Sequence, residues 1–413
     1  MRSWLRGTAG GLPATFWYLW AGLLINRAGG FAVLFLSLYL TTQRGARVAL
    51  AGLVVGTYGI GGVLGTLAGG VLADRWGRRR TLVSSHLACA AALLGLALVT
   101  RLGAIAALCG LLGVFQSMPA PAFVAAITDM VPAERRSRAF NLEFWAFNLG
   151  TAGASLLAGL LAEWSYVGLF LLDGASSLIA AVVFLAKLPE TLPGVPADAT
   201  PSRPRGLRTV LSDRIFLVFA GLTLLQALLY TQISTIVPLA MRADGLSAAA
   251  YGSVVALSGT LIVIGQLFVP RLIDRHRKDR VLAFAQAASA IGFAVLIFAD
   301  RLPAYLAAAV IWTVGSMLAA PPNAEINSEL APPALRGRYQ AVFYLTFPAA
   351  SFLAPALGGA GLQYLGSAHW AVVAAVGLAA AGLHLVAGPS RERHVATIRT
   401  ETAATALPDP AKR

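Results

Sequence analysis

The chain has 413 residues, of which 57% are hydrophobic and 12% charged, and its mean hydropathy is +0.72. Soluble domains carry about a quarter charged residues, so an ordinary soluble enzyme and a disordered chain are both excluded. The net charge of +14 would suggest nucleic acid in a soluble protein; the placement of the charges points instead to a lipid bilayer and to no nucleic-acid partner.

A helix needs about 20 apolar residues to cross the hydrocarbon. Such runs lie near 14–40, 49–73, 81–100, 102–127, 139–162, 167–188, 215–241, 248–273, 281–299, 302–325, 338–363 and 368–388. The first follows Arg2 and Arg6 and has no small-residue cleavage site after it, so it reads as an uncleaved helix. The expected fold is an all-α integral membrane protein of twelve transmembrane helices. With the N-terminus in the cytoplasm, cytoplasmic segments hold 26 Lys and Arg and the opposite side holds 5: Arg44, Arg47, Arg101, Arg242 and Arg301. Positive charge marks the inner side, so both termini are expected in the cytoplasm and the chain in the plasma membrane as a multi-pass monomer.

A Pro- and Arg-rich stretch over 189–213 divides the spans six and six. The expected organisation is a six-helix bundle over 1–188, a cytoplasmic linker over 189–213, a second bundle over 214–389, and a polar, mobile cytoplasmic tail over 390–413. The halves also repeat each other at an offset of 200 residues. Gly52, Gly59, Gly65, Asp74, Arg75 and Arg80 recur as Gly252, Gly259, Gly265, Asp274, Arg275 and Arg280; Pro121, Pro132, Arg136 and Arg138 recur as Pro321, Pro332, Arg336 and Arg338. Two halves in one orientation are pseudo-symmetric repeats about an axis along the membrane normal, with a cavity between them. Small residues four apart let backbones approach closely. Gly61, Gly65 and Gly69, then Gly150, Ala154 and Ala158, then Ala350, Ala354 and Gly358 are therefore candidate contacts between the halves.

After the second span comes GGVLADRWGRRRTL, residues 69–82. Gly77 permits a tight turn at the helix end. Asp74 can accept from the exposed N–H groups at a helix start, and the start of span eleven, at Arg336, is the expected one. Asp74, Arg78, Asp129 and Arg336 would then latch the cytoplasmic side. The stretch resembles the loop signature of the major facilitator superfamily, G-x-L-a-D-r-x-G-r-r, on Gly70, Leu72, Asp74, Arg75, Gly77, Arg78 and Arg79. Leu188-Pro189-Glu190-Thr191 also resembles that family's end of helix six. The resemblance covers the whole chain and implies a secondary transporter working by alternating access. Within the family the chain looks most like the twelve-helix drug:proton antiporters, through Asp129, Pro132, Arg136 and Arg138 and a fifth helix rich in small residues. Two departures stand out: Gly113 replaces the Arg of that group's fourth-helix pattern, although Gln116 remains, and Ala154-Ser155 replaces a Gly-Pro.

Ionisable groups inside spans are costly and are functional candidates by default. Arg27 lies near the centre of the first span, beside Asn26. Asp173 lies roughly 6 Å outward of its span's centre, and Glu143 roughly 11 Å toward the cytoplasm. Depth favours Asp173 as the partner of Arg27, either as a proton switch or as a permanent ion pair. Glu143 shares a face with Phe147, Gly150 and Ala154, which suggests gating or snorkelling; Glu325 is a further proton-coupling candidate. Gln116, Gln226, Tyr230, Ser234, Trp312, Ser316 and Asn323, with Asn26, are candidate cavity residues. Amides and aromatics in an apolar cavity suit small amphipathic organic molecules or drugs. Proton-coupled export is the leading expectation, with import or facilitated passage of a small metabolite as the alternative.

Other classes have less support. None of the three lysines (Lys187, Lys278, Lys412) follows Gly, which excludes a Walker A loop and a primary pump. No H-E-x-x-H occurs, Ser258-Gly259 lacks the first Gly of a G-x-S-G site, and the five His are scattered. An enzyme, a metal site and a cofactor are therefore not expected. The six-plus-six repeat argues against a channel or receptor.

Overall fold

A computed structural model of the chain describes residues 11–191, 205–265, 268–273, 275–332 and 335–406. The fold is all-helical, with no strand among the described residues. In the first half, α1 (Ala14–Ala28) and α2 (Ala32–Thr42) form one broken span, followed by α3 (Val48–Arg75), α4 (Arg78–Leu98), α5 (Leu102–Ser117), α6 (Pro119–Met130), α7 (Arg136–Trp164) and α8 (Tyr166–Lys187). The second half opens on a short α9 (Arg205–Ser212) and continues through α10 (Arg214–Thr235), α11 (Val237–Ala243), α12 (Ala248–Gly265), α13 (Val269–Ile273), α14 (Lys278–Val295), α15 (Leu302–Glu329), α16 (Arg336–Tyr344), α17 (Thr346–Leu365) and α18 (Ala368–Ala406).

Sequence explains the interruptions. Gly29-Gly30 separates α1 from α2, and Pro119 and Pro238 sit in the first turns of α6 and α11, where proline's missing N–H costs least. Eleven helical stretches among the described residues are long and apolar enough to cross a membrane. The ninth of the twelve expected spans is not among them, because the 18 residues of α14 begin with three charged ones, Lys-Asp-Arg. Leu, Val and Ile side chains exposed along α3, α8, α10 and α18, such as Leu64, Leu67, Leu178, Val182, Val218 and Val386, form the apolar outer surface that lipid would cover.

Two expectations about the ends change. Eight residues of the linker, 205–212, are the helix α9, and Asp213 at the linker's end caps α10 by accepting from the Phe216 N–H at 3.0 Å. The tail is not an irregular strand of chain, because α18 runs unbroken for 39 residues to Ala406, past Pro389. The rest of the linker and residues 407–413 lie outside the described residues.

The buried core has an uneven plan. On the side away from the basic loops, one cluster joins both halves: Phe35, Leu38, Ala154 and Ala158 pack with Ile236, Val237, Tyr251 and Trp312. On the basic side each half keeps its own cluster, around Phe16, Phe123 and Phe184 in one and Phe216, Phe219 and Phe343 in the other. Helix α3 meets α17, and α7 meets α12, across the boundary.

Those meetings correct the expected contact faces. Gly61, Gly65 and Gly69 pack against Gly110, Val114 and Met118 of the same half. The face of α3 that meets the second half carries Gly52, Gly56 and Gly59, against Pro355, Phe352 and Ser351. Gly59 and Gly61 are two residues apart, which is about 200° around a helix. Gly150 packs on Arg27 and Gly358 on Ile236, again within a half, whereas Ala154 and Ala158 lie in the cluster shared by both halves, as expected, and Gly159 meets Gly252 across the boundary.

Candidate functional site

The polar groups buried in the first half gather around the break in the first span. Because Gly29-Gly30 ends α1, the first N–H groups of α2 have no helical partner. Asp173, on α8 and 1% exposed, fills that role: its Oδ2 accepts from the Ala32 N–H at 3.1 Å, while the Phe31 N–H donates to the Gly29 carbonyl at 2.9 Å. Its Oδ1 is buried without a partner. One turn further along α8, Ser177 accepts from Asn26 Nδ2 at 3.1 Å and donates to Cys89 Sγ at 3.6 Å. Asn26 thus ties α1 to α8 rather than presenting a free amide.

Arg27 and Asp173 do not form the expected ion pair. The Arg27 guanidinium lies over the Phe147 ring of α7, 4.4 Å from its centroid, and its buried Nε has no hydrogen-bond partner. Asp173, Glu143 and Tyr58 are all within electrostatic reach of it. The reason is geometric: the broken span takes up the carboxylate, and Phe147 provides a π face for the cation. The Glu143, Phe147 and Gly150 face of α7 therefore looks toward α1. Glu143 is half-buried and lies near Arg27 and Tyr344.

Tyr58, which the sequence reading passed over, donates to Gln116 Oε1 at 2.9 Å. The substitution of Gly113 for Arg has a packing cause: a Cβ at Gly113 would stand 2.0 Å from the Tyr58 carbonyl oxygen, so α3 and α5 touch where a side chain would be.

In the second half, Asn323 Nδ2 donates to Gln226 Oε1 at 2.8 Å, joining α15 to α10, while Asn323 Oδ1 is buried without a partner. Tyr230 is 53% exposed and within electrostatic reach of Tyr251, which packs edge-on to Phe35 of the first half. Other candidate cavity residues move. Trp312 is 1% exposed, stacked on Phe293, and donates to Ser258 Oγ; it belongs to the core. Ser316 and Ser234 bond back to their own helices, at Trp312 and Thr231. Glu325 is also corrected as a proton-coupling candidate: it is exposed and bound to Lys278 Nζ at 2.8 Å, at the basic end of α15.

The basic loop after α3 is assembled more tightly than expected. Gly77, with φ +112°, makes the turn into α4. Glu190 caps that helix, its Oε1 accepting from the Arg78 N–H at 2.8 Å. Arg78 pairs with Asp129 at 3.1 Å and donates to the Ala73 carbonyl at 3.0 Å. Arg79 donates to the Leu185 carbonyl. Asp74 makes no ion pair or hydrogen bond with the described residues of span eleven; it lies 3.7 Å from Arg78 with its side chain 76% exposed. Trp76, beside the exposed Arg75, is also exposed, and Gly70 has open space over its Cα. α16 begins at Arg336, whose side chain lies outside the described residues, as does Asp274. One buried core bridges the halves on the side away from the basic loops, and among the described residues no buried core bridges them on the basic side.

The comparisons agree with this architecture. The family model described as "Major Facilitator Superfamily" matches residues 19–242 and 220–410. The chain is 27% identical to the "Uncharacterized MFS-type transporter YttB" of Bacillus subtilis, over 86% of this chain and 90% of that protein. It is 23% identical to a "Na(+), Li(+), K(+)/H(+) antiporter" of Planococcus maritimus, over 78% of this chain and 83% of the other. It is 26% identical to the "Multidrug resistance protein MdtH" of Aeromonas hydrophila subsp. hydrophila, over 78% and 81%. Spans, repeated halves, basic loop and family match together establish that the chain is a multi-pass membrane transporter, not an enzyme, and a member of the Major Facilitator Superfamily.

Proposed function

We propose that the chain is a proton-coupled exporter of small amphipathic organic molecules, working by alternating access between bundles 1–188 and 214–389, with Asp173 as the proton site. The observation that carries this reading is the Asp173 carboxylate, buried, with one oxygen on the Ala32 N–H at the break of the first span and the other unpartnered. A carboxylate holds an N–H group more strongly than a neutral acid does. Protonation of Asp173 therefore loosens α2, which carries Phe35 against Tyr251 and packs on α10 and α11, where the halves meet. Arg27, freed from a fixed acid partner, balances the charge of Asp173 or Glu143 as the halves move. The multidrug and cation/proton names of two relatives support the same class. In this reading the basic side and both termini face the cytoplasm, the membrane is the plasma membrane, the protein acts as a monomer, and Asp74 latches onto span eleven when that side closes.

Transport in proteoliposomes under imposed pH and voltage gradients tests the proposal, with a panel of amphipathic cations and neutral compounds. Asp173→Asn is expected to abolish gradient-driven transport while sparing exchange. Full pH-driven transport in both Asp173→Asn and Glu143→Gln would place the coupling elsewhere.

A further inference from the structure

We infer that the crevice between the basic-side ends of α10 and α18 binds the phosphate of an anionic phospholipid headgroup. Arg214, Ser390 and Arg391 line it, with Val218, Phe219 and Ala387 as its apolar wall. Arg391 is 4% exposed, and its Nη1 is buried without a hydrogen-bond partner. Its guanidinium lies 5.8 Å from the centroid of the Phe219 ring. A buried cation left without a counter-charge is costly, so its surroundings are expected to supply one.

The chain's own acids do not serve. Asp279, Glu392 and Glu329 are within electrostatic reach of Arg391. Yet Arg277 holds Asp279 at 2.9 Å and Glu392 at 3.4 Å, and Lys278 holds Glu329 at 2.8 Å. Each is engaged by another cation, and no ion pair to Arg391 forms among the described residues. The remaining anion must come from outside. A phosphate oxygen pair suits a guanidinium fork, and Arg214 adds a second positive charge at the same mouth.

The apolar wall identifies the source. Val218 is 51% exposed and Val386, beside Ala387, is 78% exposed, so the crevice runs directly onto the lipid-facing surface. A phosphate held at Arg391 and Arg214 thus has its acyl chains laid along α10 and α18. A free phosphate would leave that wall uncovered. Basic pockets between helices at the membrane border are known to take acidic headgroups.

Native mass spectrometry of the full-length protein, exchanged from detergent with phosphatidylglycerol or phosphatidylcholine, tests this. Phosphatidylglycerol should be retained at least about five-fold more, and each arginine removed, in Arg391→Gln or Arg214→Gln, should cost about five-fold in retention. Arg391→Lys should keep part of it. Should Arg391→Gln fail to fold, Arg214→Gln, at the exposed mouth, decides alone. Equal retention of the two lipids, or undiminished retention in the variants, overturns the site. Displacement of phosphatidylglycerol by equimolar inorganic phosphate overturns the lipid source in favour of a free anion.

Discussion

The turn before α4 and its copy before α14, 200 residues later, solve one problem in two ways. Both start a helix on the basic side and both hold an ion pair there, more buried in the first half than in the second. Arg78 with Asp129 in the first half corresponds to Lys278 with Glu329 in the second, at 3.1 Å and 2.8 Å. The caps differ. In the first half the helix start is capped from outside, by Glu190 at the end of α8. In the second the helix caps itself: Asp279, in its first turn, accepts from the Arg280 N–H at 2.9 Å and from Arg277. The cause is one residue. Gly77 leaves room for Glu190, whose carboxylate would stand 2.3 Å from a Cβ there. Arg277 holds the equivalent place with an ordinary φ of −64° and needs no space for a visiting carboxylate. The lesson is that a repeat preserves the charge pair, which is set by two helices, more faithfully than the cap, which depends on what neighbours the turn admits.

Several variants would break or sharpen this comparison. The largest effect is expected from Arg78→Ala, which strands Asp129 and opens the Ala73 carbonyl; its buried setting implies a loss of about 2–3 kcal/mol. Lys278→Ala, whose side chain is 32% exposed and faces a 59% exposed Glu325, should cost about 1 kcal/mol or less. Thermal unfolding of the purified variants in detergent checks both, and equal losses would erase the difference between the halves.

Gly77→Ala comes next. Its φ of +112° with ψ 154° is a region open essentially to glycine alone, and the added Cβ meets Glu190. About 1–3 kcal/mol should be lost. Glu190→Gln keeps an acceptor for the Arg78 N–H but removes the charge, so about 1 kcal/mol or less is expected from the same measurement.

The second-half cap should answer to acid. Burial opposes the Asp279 charge, but hydrogen bonds from Arg277 and the Arg280 N–H, with the Arg277 and Arg391 charges, hold its carboxyl below the usual range. A lowered native value means the contribution is present above the unfolded value of about 3.9 and is lost as pH falls through the native one. An unfolding titration from pH 6 to pH 2 should therefore show less acid sensitivity in Asp279→Asn than in the parent. The smallest effect on stability belongs to Asp74→Asn, at an exposed residue, within about 0.5 kcal/mol. Its turnover should nevertheless fall if Asp74 is the proposed latch, engaged only when the basic side closes. Normal turnover with normal two-sided accessibility would remove the latch.

Much of the plan was legible in the sequence. The spans followed from apolar length, the repeat from Gly, Pro and Arg at a fixed offset, and the basic loop from its signature, because each depends on local composition or on spacing along the chain. Asp173 and Arg27 were recognisable as costly groups in apolar runs, whereas the break at Gly29-Gly30 was not legible there, because 14–40 reads as one span. Four things required the tertiary structure. Asp173 turned to the Ala32 N–H rather than to Arg27, because an unpaired helix start lay closer than the guanidinium. Glu190, 112 residues from Arg78 in the chain, became the cap of α4. Trp312 fell on the packed face of α15, and the Gly52, Gly56 and Gly59 face, not its neighbour two residues on, met the second half. Each of these depends on how far a helix is rotated against a partner distant in sequence, and periodicity places residues on a face without saying which neighbour that face will meet.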